Sequence, residues 1–454
     1  MLFFHVSPIV CNGAPVEWSD WDRKQTCHPS AGFVVFGDED SLIKTIKIAN
    51  KAKAQVKTVG AGHSFSTITL TDDNDRVSTI INLDEMKGVL KVERNEDGTA
   101  VVTFGAGTRL RDANTMLEEL GLAFINLGAT AAQSVAGATA TATHGTGRKL
   151  QSISSSVKGL KFVDGLGNLH FVDEANEADT FKLLQVGLGA FGVITEVKML
   201  VYPLFKMKRT IFQLPLSELI DTHDFLLETY ERFQWSYIPH AVPAVATVIV
   251  REEVPFDTPV TGCWPEEERV GGGVDDEPKG SGSECIDISY KVLVDSYDQY
   301  VNRTLYTEME MMIDVENAMP ALKEFLDFQE SVKDQHSDSK GTLYSQLRYV
   351  KGDDLTLSPF RGRNVTAVFS FIVSGDKSWS GDDMEFGKYA KSLEKICSKY
   401  NGVPHWGKQN YAKRGDVVDF YTEETLEEFD IVRLRLDPNG VFLNDYLRER
   451  FLKV

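Results

Sequence analysis

The sequence predicts an α+β protein with two domains. It has 454 residues, of which 42% are hydrophobic, enough to bury a large core in each of two domains. From about residue 31 to residue 202, short apolar runs alternate with helical stretches and glycine-rich turns, which is typical of mixed helices and strands. After Pro203 the apolar segments become longer and glycine becomes rarer, so we place a domain boundary there.

Individual elements follow from the same pattern. In the first region we predict strands at residues 56–60, 79–83 and 101–105, a strand-rich group at residues 158–172, a closing segment at residues 187–197, and helices at residues 41–53 and 110–120. Ser41 is the predicted N-cap of the first helix, and Gly121 ends the second. In the second region, residues 257–284 are rich in Pro, Gly, Asp and Glu, which predicts a solvated loop.

Charge and cysteine content exclude several classes of function. A net charge of −19 argues against a nucleic-acid partner or an anionic membrane surface, because both require clustered Lys and Arg. No apolar run is long enough to span a bilayer, and the first residues make a poor signal peptide. The five cysteines show no metal-type spacing and fit a reduced intracellular protein. A Cys263–Cys285 bridge stays open as an alternative, as does secretion.

Two segments of small residues are the most informative part of the sequence. The first reads T-V-G-A-G-H-S-F-S at residues 58–66 and directly follows a predicted strand. The second covers residues 126–147 and is rich in Gly, Ala, Ser and Thr. Small side chains let the backbone approach a ligand closely, and successive N–H groups can surround a diphosphate. Tight backbone packing is the alternative interpretation. Neither segment follows the G-x-G-x-x-G or Walker pattern.

Together these segments resemble the two FAD loops of the vanillyl-alcohol oxidase flavoprotein superfamily. Within it, the aldonolactone oxidase and alditol oxidase branch is most similar, because residues 187–197, P-H-W-G-K at residues 404–408 and L-D-P-N-G-V-F-L-N at residues 436–444 also match. The resemblance covers nearly the whole chain. It implies an N-terminal segment (residues 1–30), a PCMH-type FAD-binding domain of two α/β subdomains (31–202), a cap domain with an antiparallel sheet (203–435) and a C-terminal return (436–454).

For the cofactor, the resemblance implies that the imidazole of His63 is bonded to the 8α-methyl carbon of the flavin. A hydrogen-bonded loop histidine with non-covalent FAD is the alternative. The other residues that the resemblance assigns to FAD binding are Gly60, Ala61, Gly62, Ser64, Phe65, Ala129, Ser134, Gly137, Thr141, Ala142, Thr143, His144 and Ile194. For His144 we favour a structural role over a catalytic one.

On the substrate side, the resemblance places His405 and Lys408 close to the flavin and the substrate. Three residues apart, they would share a face if the segment were helical. Lys408 is the predicted electrostatic catalyst, because a cation at the flavin N1–C2=O edge stabilises the anionic reduced ring.

The residues predicted to bind the substrate differ from those of the branch. The E-x-R motif of the branch reads Q-L-R in this chain, so Arg348 matches while Gln346 replaces the carboxylate. An amide can hold a hydroxyl but cannot act as a general base. Ser370 supplies a hydroxyl nearby. Polyol oxidases carry Ser where Ala129 aligns and His where Val368 aligns, which favours a lactone over an alditol as substrate.

Ala106 bears on the electron acceptor. Oxidases of the branch usually have Gly at this position, whereas lactone dehydrogenases have Ala, whose methyl group hinders oxygen; simple packing of a turn is the alternative.

Our first hypothesis is hydride transfer from a galactono-, gulono- or arabinono-type 1,4-lactone to the flavin, followed by reoxidation by O2 to H2O2, with no metal. The alternatives are a polyol oxidase, a lactone dehydrogenase that uses a cytochrome or quinone, and a flavin-holding protein with little turnover.

Overall fold

The computed structural model describes residues 16–72, 74, 76–239, 241–263, 283–294, 305–336, 342–374 and 384–453. Within these ranges, no helix combines the length and the apolar character needed to cross a bilayer. Most of the predicted loop at residues 257–284 lies outside the described residues. Cys263, near the start of this loop, and Cys285, directly after it, form a disulfide, the bridge that spacing alone did not support.

The first region contains two sheets. A parallel sheet has the strand order Phe33–Val35, Ser78–Asn82, Gln55–Val59. An antiparallel sheet has the order Leu169–Val172, Val157–Val163, Val193–Pro203, Ala100–Gly105, Val89–Arg94, with Leu122–Ala123 paired to the long Val193–Pro203 strand. Helices accompany them at Glu39–Ala52, Leu110–Glu119, Val135–Ala140 and Ala178–Gln185. A small hairpin, Trp18–Ser19 paired with Thr26–Cys27, precedes both sheets.

The predicted strands and helices form, with one correction at a helix start. The first helix is Glu39–Ala52, and its N-cap is Asp38, whose side chain accepts a hydrogen bond from the Ser41 N–H at 2.8 Å. The prediction of Ser41 as the cap was therefore wrong. Asp38 has the extended backbone that capping requires, whereas Ser41 already lies in the first turn. The second helix ends before Gly121, which has φ +69° as predicted.

The second region is built on one antiparallel sheet, here called the cap sheet. Its strand order is Ser283–Ile288, Lys206–Pro215, Val245–Val254, Arg232–Tyr237, Thr342–Lys351, Val365–Ser374, Tyr306–Asp314, Val403–Pro404. The accompanying helices are Leu216–Thr229, Ser289–Leu293, Ala318–His336 and Met384–Ser398. Apolar residues of these helices, such as Leu219, Phe325 and Leu393, pack on one face of the sheet. Met312 and Val368 belong instead to the core of the first region. This second face therefore meets the first region.

The C-terminal part returns to the first region. It contains the helices Arg414–Tyr421, Glu423–Leu436 and Asp445–Phe451. The Val56 N–H donates to the Val441 carbonyl at 2.8 Å, and Phe429 packs edge-on against Phe191 at 5.0 Å between ring centroids. The Asp437 carboxylate accepts hydrogen bonds from the N–H groups of Val441 and Phe442, which fixes the turn that brings the chain back to the first region. The domain division at residues 202/203 and 435/436 stays a prediction.

Candidate active site

A cleft is lined by residues that follow strands of both sheets in the first region. The loop after Gln55–Val59 forms one side, and Asp84 and Ala106 follow two further strands. The segment from Gly187 to Ile194 forms the far end. The cleft is therefore lined by segments that both sheets of the first region position.

Many of the predicted cofactor residues border this cleft. They are Gly60, Ala61, Gly62, His63, Ser64, Ala106, Ser134, Gly137, Thr141 and Ile194. Phe65, Ala142, Thr143 and His144 are buried beside it without lining it, and Ala129 borders a smaller cavity that Arg348 also lines. The roles of all these residues in binding remain predictions.

The small residues keep the two loops at a distance that side chains would not allow. A Cβ at Gly60 would lie 2.7 Å from Ser134 Oγ, and a Cβ at Gly137 would lie 2.9 Å from the same atom. A Cβ at Gly107 would lie 1.9 Å from the Leu83 carbonyl oxygen. Backbone and small side chains thus form much of the cleft wall, which fits close approach of an extended dinucleotide such as FAD.

Sequence reasoning missed several polar residues at the cleft. Lys57 is buried, its ammonium donates to the Phe442 carbonyl at 3.1 Å, and burial lowers its pKa to about 8. Asp84 accepts two hydrogen bonds from Arg109, at 2.6 and 2.5 Å. Lys57 could have been found, because a lysine within the apolar strand before a glycine-rich loop is unusual.

The turn after the cap sheet contacts the loop of the first region, where the Phe65 N–H donates to the Gly407 carbonyl at 2.8 Å. Gln346 lies opposite Ser370, and Ser370 lies opposite Glu310, so three adjacent strands place these residues in one row. The Ser370 hydroxyl donates to the Glu310 carboxylate at 2.8 Å, and the Arg348 guanidinium forms a salt bridge with that carboxylate. Arg348 also donates to the Ser370 hydroxyl at 3.4 Å.

Glu310 is the centre of a buried charge cluster that also includes His144 and His405. Burial alone would raise the pKa of Glu310, but the Arg348 guanidinium, with Lys408 and His144, holds that pKa well below its usual range. Burial lowers the pKa of His405 to about 3 and also lowers that of His144, so both imidazoles are neutral at physiological pH. The cluster is therefore one carboxylate, one guanidinium and two neutral imidazoles.

His405 and Lys408 lie in a turn, not on a helix. The Lys408 N–H donates to the His405 carbonyl at 2.9 Å, and the His405 N–H donates to the Glu310 carbonyl at 3.0 Å. The turn follows the edge strand Val403–Pro404, so it is fixed to the cap sheet. The Lys408 ammonium pairs with Glu308 and lies 4.9 Å from the centre of the Phe65 ring. Burial raises the pKa of Glu308 to about 7.

Hydrogen bonds assign the tautomers of the two imidazoles. His144 Nδ1 faces the Gly145 carbonyl at 2.9 Å and so carries the proton, which leaves Nε2 as an acceptor 3.4 Å from Glu310. His405 Nδ1 accepts from the Gly407 N–H at 3.0 Å, so its Nε2 carries the proton. His144 Nε2 and the Glu310 carboxylate are therefore two acceptors side by side.

Two adjacent acceptors can share a proton or a cation. Ligand atoms of His144, Glu310 and His405 all lie within 4.8 Å of one another, a spacing that a metal ion could use. However, the Arg348 guanidinium already neutralises Glu310 and would repel a cation. The charges already present therefore disfavour a metal ion at this position.

Sequence reasoning also missed Glu308 and Glu310. Both lie on the strand Tyr306–Asp314, and their spacing of two places them on the same face of the sheet. A charged residue at alternate positions of an otherwise apolar strand was the available signal, but the partners lie far away in the sequence, on another strand, in a loop and in a turn.

Comparison with known proteins agrees with this geometry. Residues 30–173 match the family described as FAD binding domain, and residues 277–450 match the family described as D-arabinono-1,4-lactone oxidase. L-gulono-1,4-lactone dehydrogenase of Mycobacterium tuberculosis is 31% identical over 95% of this chain and 98% of its own length. L-gulonolactone oxidase of Mus musculus is 26% identical over 96% and 98%.

Solved structures show the same fold. A cholesterol oxidase from B. sterolicum aligns with a TM-score of 0.76 at 15% identity, covering 98% of this chain and 99% of that one. A solvent-stable cholesterol oxidase aligns with a TM-score of 0.75 at 17% identity, covering 95% and 97%. The fold and the cleft thus define an FAD-dependent oxidoreductase of the vanillyl-alcohol oxidase type. Within that class, the chain belongs to the aldonolactone oxidase and dehydrogenase family.

Proposed function

We propose that this enzyme oxidises a CH–OH group of a sugar-1,4-lactone, with the flavin held covalently by His63 and reoxidised by O2 to give H2O2. The observation that carries the proposal is the contact between the loop that bears His63 and the turn that follows the cap sheet. His63 borders the cleft, and the ammonium of Lys408, in the turn next to the buried Arg348–Glu310–Ser370 cluster, lies 4.9 Å from the ring of Phe65 on the same loop. The relatives that align over nearly the whole chain are named for lactone oxidation.

FAD bound in the cleft would accept the hydride from the substrate carbon. Arg348 and Ser370 orient the substrate hydroxyls by hydrogen bonds, and Gln346 lies in register beside Ser370 with an amide for the same purpose. Lys408 stabilises the negative charge that develops. The hydroxyl proton of the substrate would pass to His144 Nε2, which the hydrogen bond of Nδ1 to the Gly145 carbonyl leaves as an acceptor.

The substrate class is tested by anaerobic reduction of the flavin. Galactono-, gulono- and arabinono-type 1,4-lactones should bleach the yellow colour, whereas alditols of the same chain length should not. Reduction by an alditol and not by any lactone would instead support the polyol oxidase. No reduction by either set would support a flavin-holding protein.

The covalent tether is tested by acid precipitation. The wild-type protein should remain yellow in the precipitate, while the variant His63→Ala should bind flavin and release it on denaturation. Colour retained in the His63→Ala precipitate would place the bond elsewhere.

A lactone dehydrogenase is the second candidate, because Ala106 lines the cleft and the M. tuberculosis relative is named a dehydrogenase. The Ala106 backbone is held on both sides, by Thr195 and Ala136, so its methyl group has a fixed position. We expect Ala106→Gly to reoxidise severalfold faster with O2 while reduction by the lactone is unchanged. Equal reoxidation rates would assign Ala106 to packing, and faster turnover of wild type with a quinone or dye than with O2 would favour the dehydrogenase.

A further inference from the structure

The imidazole of His63 contacts two aromatic side chains, Trp21 and Phe65, and a third, Tyr306, packs against both of them. Trp21 stacks on the imidazole, with ring centroids 5.0 Å apart and planes 27° apart. Phe65 meets it edge-on at 6.3 Å. Tyr306, the first residue of a cap-sheet strand, lies 4.9 Å from Trp21 and 5.6 Å from Phe65. The imidazole is therefore confined on one face and at one side.

Trp21 itself is fixed by its backbone. Its N–H donates to the Gly62 carbonyl at 2.8 Å. Gly62 has φ +73°, and a Cβ there would lie 3.1 Å from the Trp21 nitrogen, so the hairpin and the loop touch at backbone distance. The turn that carries Trp21 is closed by Asp20, whose carboxylate accepts from the Lys24 and Gln25 N–H groups at 3.1 Å each.

We propose that Trp21 is a positioning residue for covalent flavin attachment, an inference that rests on the tether proposed for His63. The stacked indole limits rotation of the imidazole and leaves its edge directed toward the cleft, as attack on a methyl carbon requires. In this step a C–N bond replaces one methyl C–H and the imidazole N–H. The two electrons and two protons released are taken up by the flavin and then by the acceptor that reoxidises it.

A purely structural role predicts a different result, since Trp21 would then matter only for the hairpin. Trp18 supplies a matched control: it lies on the same hairpin and packs against the small cluster that contains Cys27 and Val59. A residue that only stabilises the hairpin should behave like Trp18, whereas a residue that orients His63 should not.

The experiment compares wild type, Trp21→Leu, Trp21→Phe and Trp18→Leu, each incubated with excess FAD. The total flavin bound to native protein and the acid-stable flavin are followed over time. We expect Trp21→Leu to bind flavin fully but to become acid-stable at least about tenfold more slowly. Trp21→Phe should recover most of the rate, and Trp18→Leu should match wild type. If Trp21→Leu does not fold, Trp21→Met, which fills space without an aromatic face, takes its place.

Two outcomes overturn the proposal separately from the tether. Equal rates of acid-stable flavin formation in wild type and Trp21→Leu would remove the role of Trp21 and leave the tether intact. An equal loss in Trp18→Leu and Trp21→Leu would assign the effect to the hairpin as a whole. Acid-soluble flavin in the wild type would instead overturn the tether at His63 itself.

Discussion

The two walls of the active site are built in different ways. The cofactor wall consists mainly of backbone and small side chains from contiguous segments, such as residues 60–64 and the segment around Ser134. The cap wall consists of large charged or polar side chains, including Glu310, Arg348 and Lys408, that come from separate strands and a turn. In the function proposed above, backbone and small side chains would hold the long cofactor, whereas paired charges would face the small polar substrate.

This difference predicts how each wall responds to substitution. Charged groups that contact one another should show large and strongly coupled effects. Backbone walls should respond to added volume in proportion to the space that is lost. The following variants test this contrast, from the largest expected effect to the smallest.

Substitution of Lys408 by Met should have the largest effect. We expect the rate of anaerobic flavin reduction to fall by about 10²–10³-fold, because the cation that stabilises developing negative charge is lost. The fold should persist, since Glu308, whose pKa burial raises to about 7, can take up a proton. The exposed pair Lys413–Glu449 supplies the control, and Lys413→Met should leave the rate unchanged. A loss of less than tenfold would exclude Lys408 from catalysis.

Breaking the buried pair on the cap wall should mainly affect stability. Glu310→Gln leaves the Arg348 guanidinium without its carboxylate, so we expect the free energy of unfolding to fall by about 3–5 kcal/mol. The double variant Glu310→Gln/Arg348→Met should recover most of that loss, because no uncompensated charge remains. Urea unfolding of the single and double variants measures the coupling. Additive losses would show that the two side chains do not act as a pair.

On the cofactor wall, a single added methyl group should weaken flavin binding. Gly60→Ala places a Cβ 2.7 Å from Ser134 Oγ and pushes the two loops apart. In a His63→Ala background, where flavin is expected to be released reversibly, we expect the Kd for FAD to rise about tenfold, equivalent to about 1.4 kcal/mol. Gly415→Ala, at a glycine with open space around it, is the control. An unchanged Kd for Gly60→Ala would argue that FAD does not lie between these loops.

The smallest effect on flavin binding and catalysis is expected for the acidic pair Asp20 and Asp22 on the N-terminal hairpin, where the expected change is in stability. Burial, and then repulsion from Asp22, raises the pKa of Asp20 to about 8, from an ordinary value of 3.8. Between these pH values the folded protein keeps a proton that the unfolded chain releases, so this group's contribution to stability decreases as pH rises and levels off above pH 8.

Asp20→Asn should remove that dependence and stabilise the protein at pH 8 by about 1–3 kcal/mol. An amide oxygen can still accept from the Lys24 and Gln25 N–H groups, so the turn should be kept. Thermal unfolding at pH 5 and pH 8 provides the measurement, with the exposed Asp257→Asn as control. The same pH dependence in Asp20→Asn and wild type would show that Asp20 does not hold this proton.

The local features were predictable from sequence. The glycine-rich loop after the strand Gln55–Val59 and the positive φ of Gly121 depend on neighbours within a few residues, so their signals are contiguous in the chain. The same reasoning misplaced the N-cap at Ser41, because Asp38 and Ser41 are both good capping residues and only the backbone angles decide between them. It also described His405 and Lys408 as potentially helical, whereas they form a turn at the end of an edge strand.

By itself, the sequence determined that this protein has a small-residue cleft with a histidine at its edge, because each loop is a single uninterrupted segment. Only the tertiary structure decided which charges meet. Glu310 reaches Arg348, 38 residues away, across the strand Val365–Ser374 that lies between their two strands in the sheet, and it reaches His144, 166 residues away, in a loop of the first region. Side chains on a sheet take their partners from strand order and register, and a one-residue shift would turn every one of them to the other face.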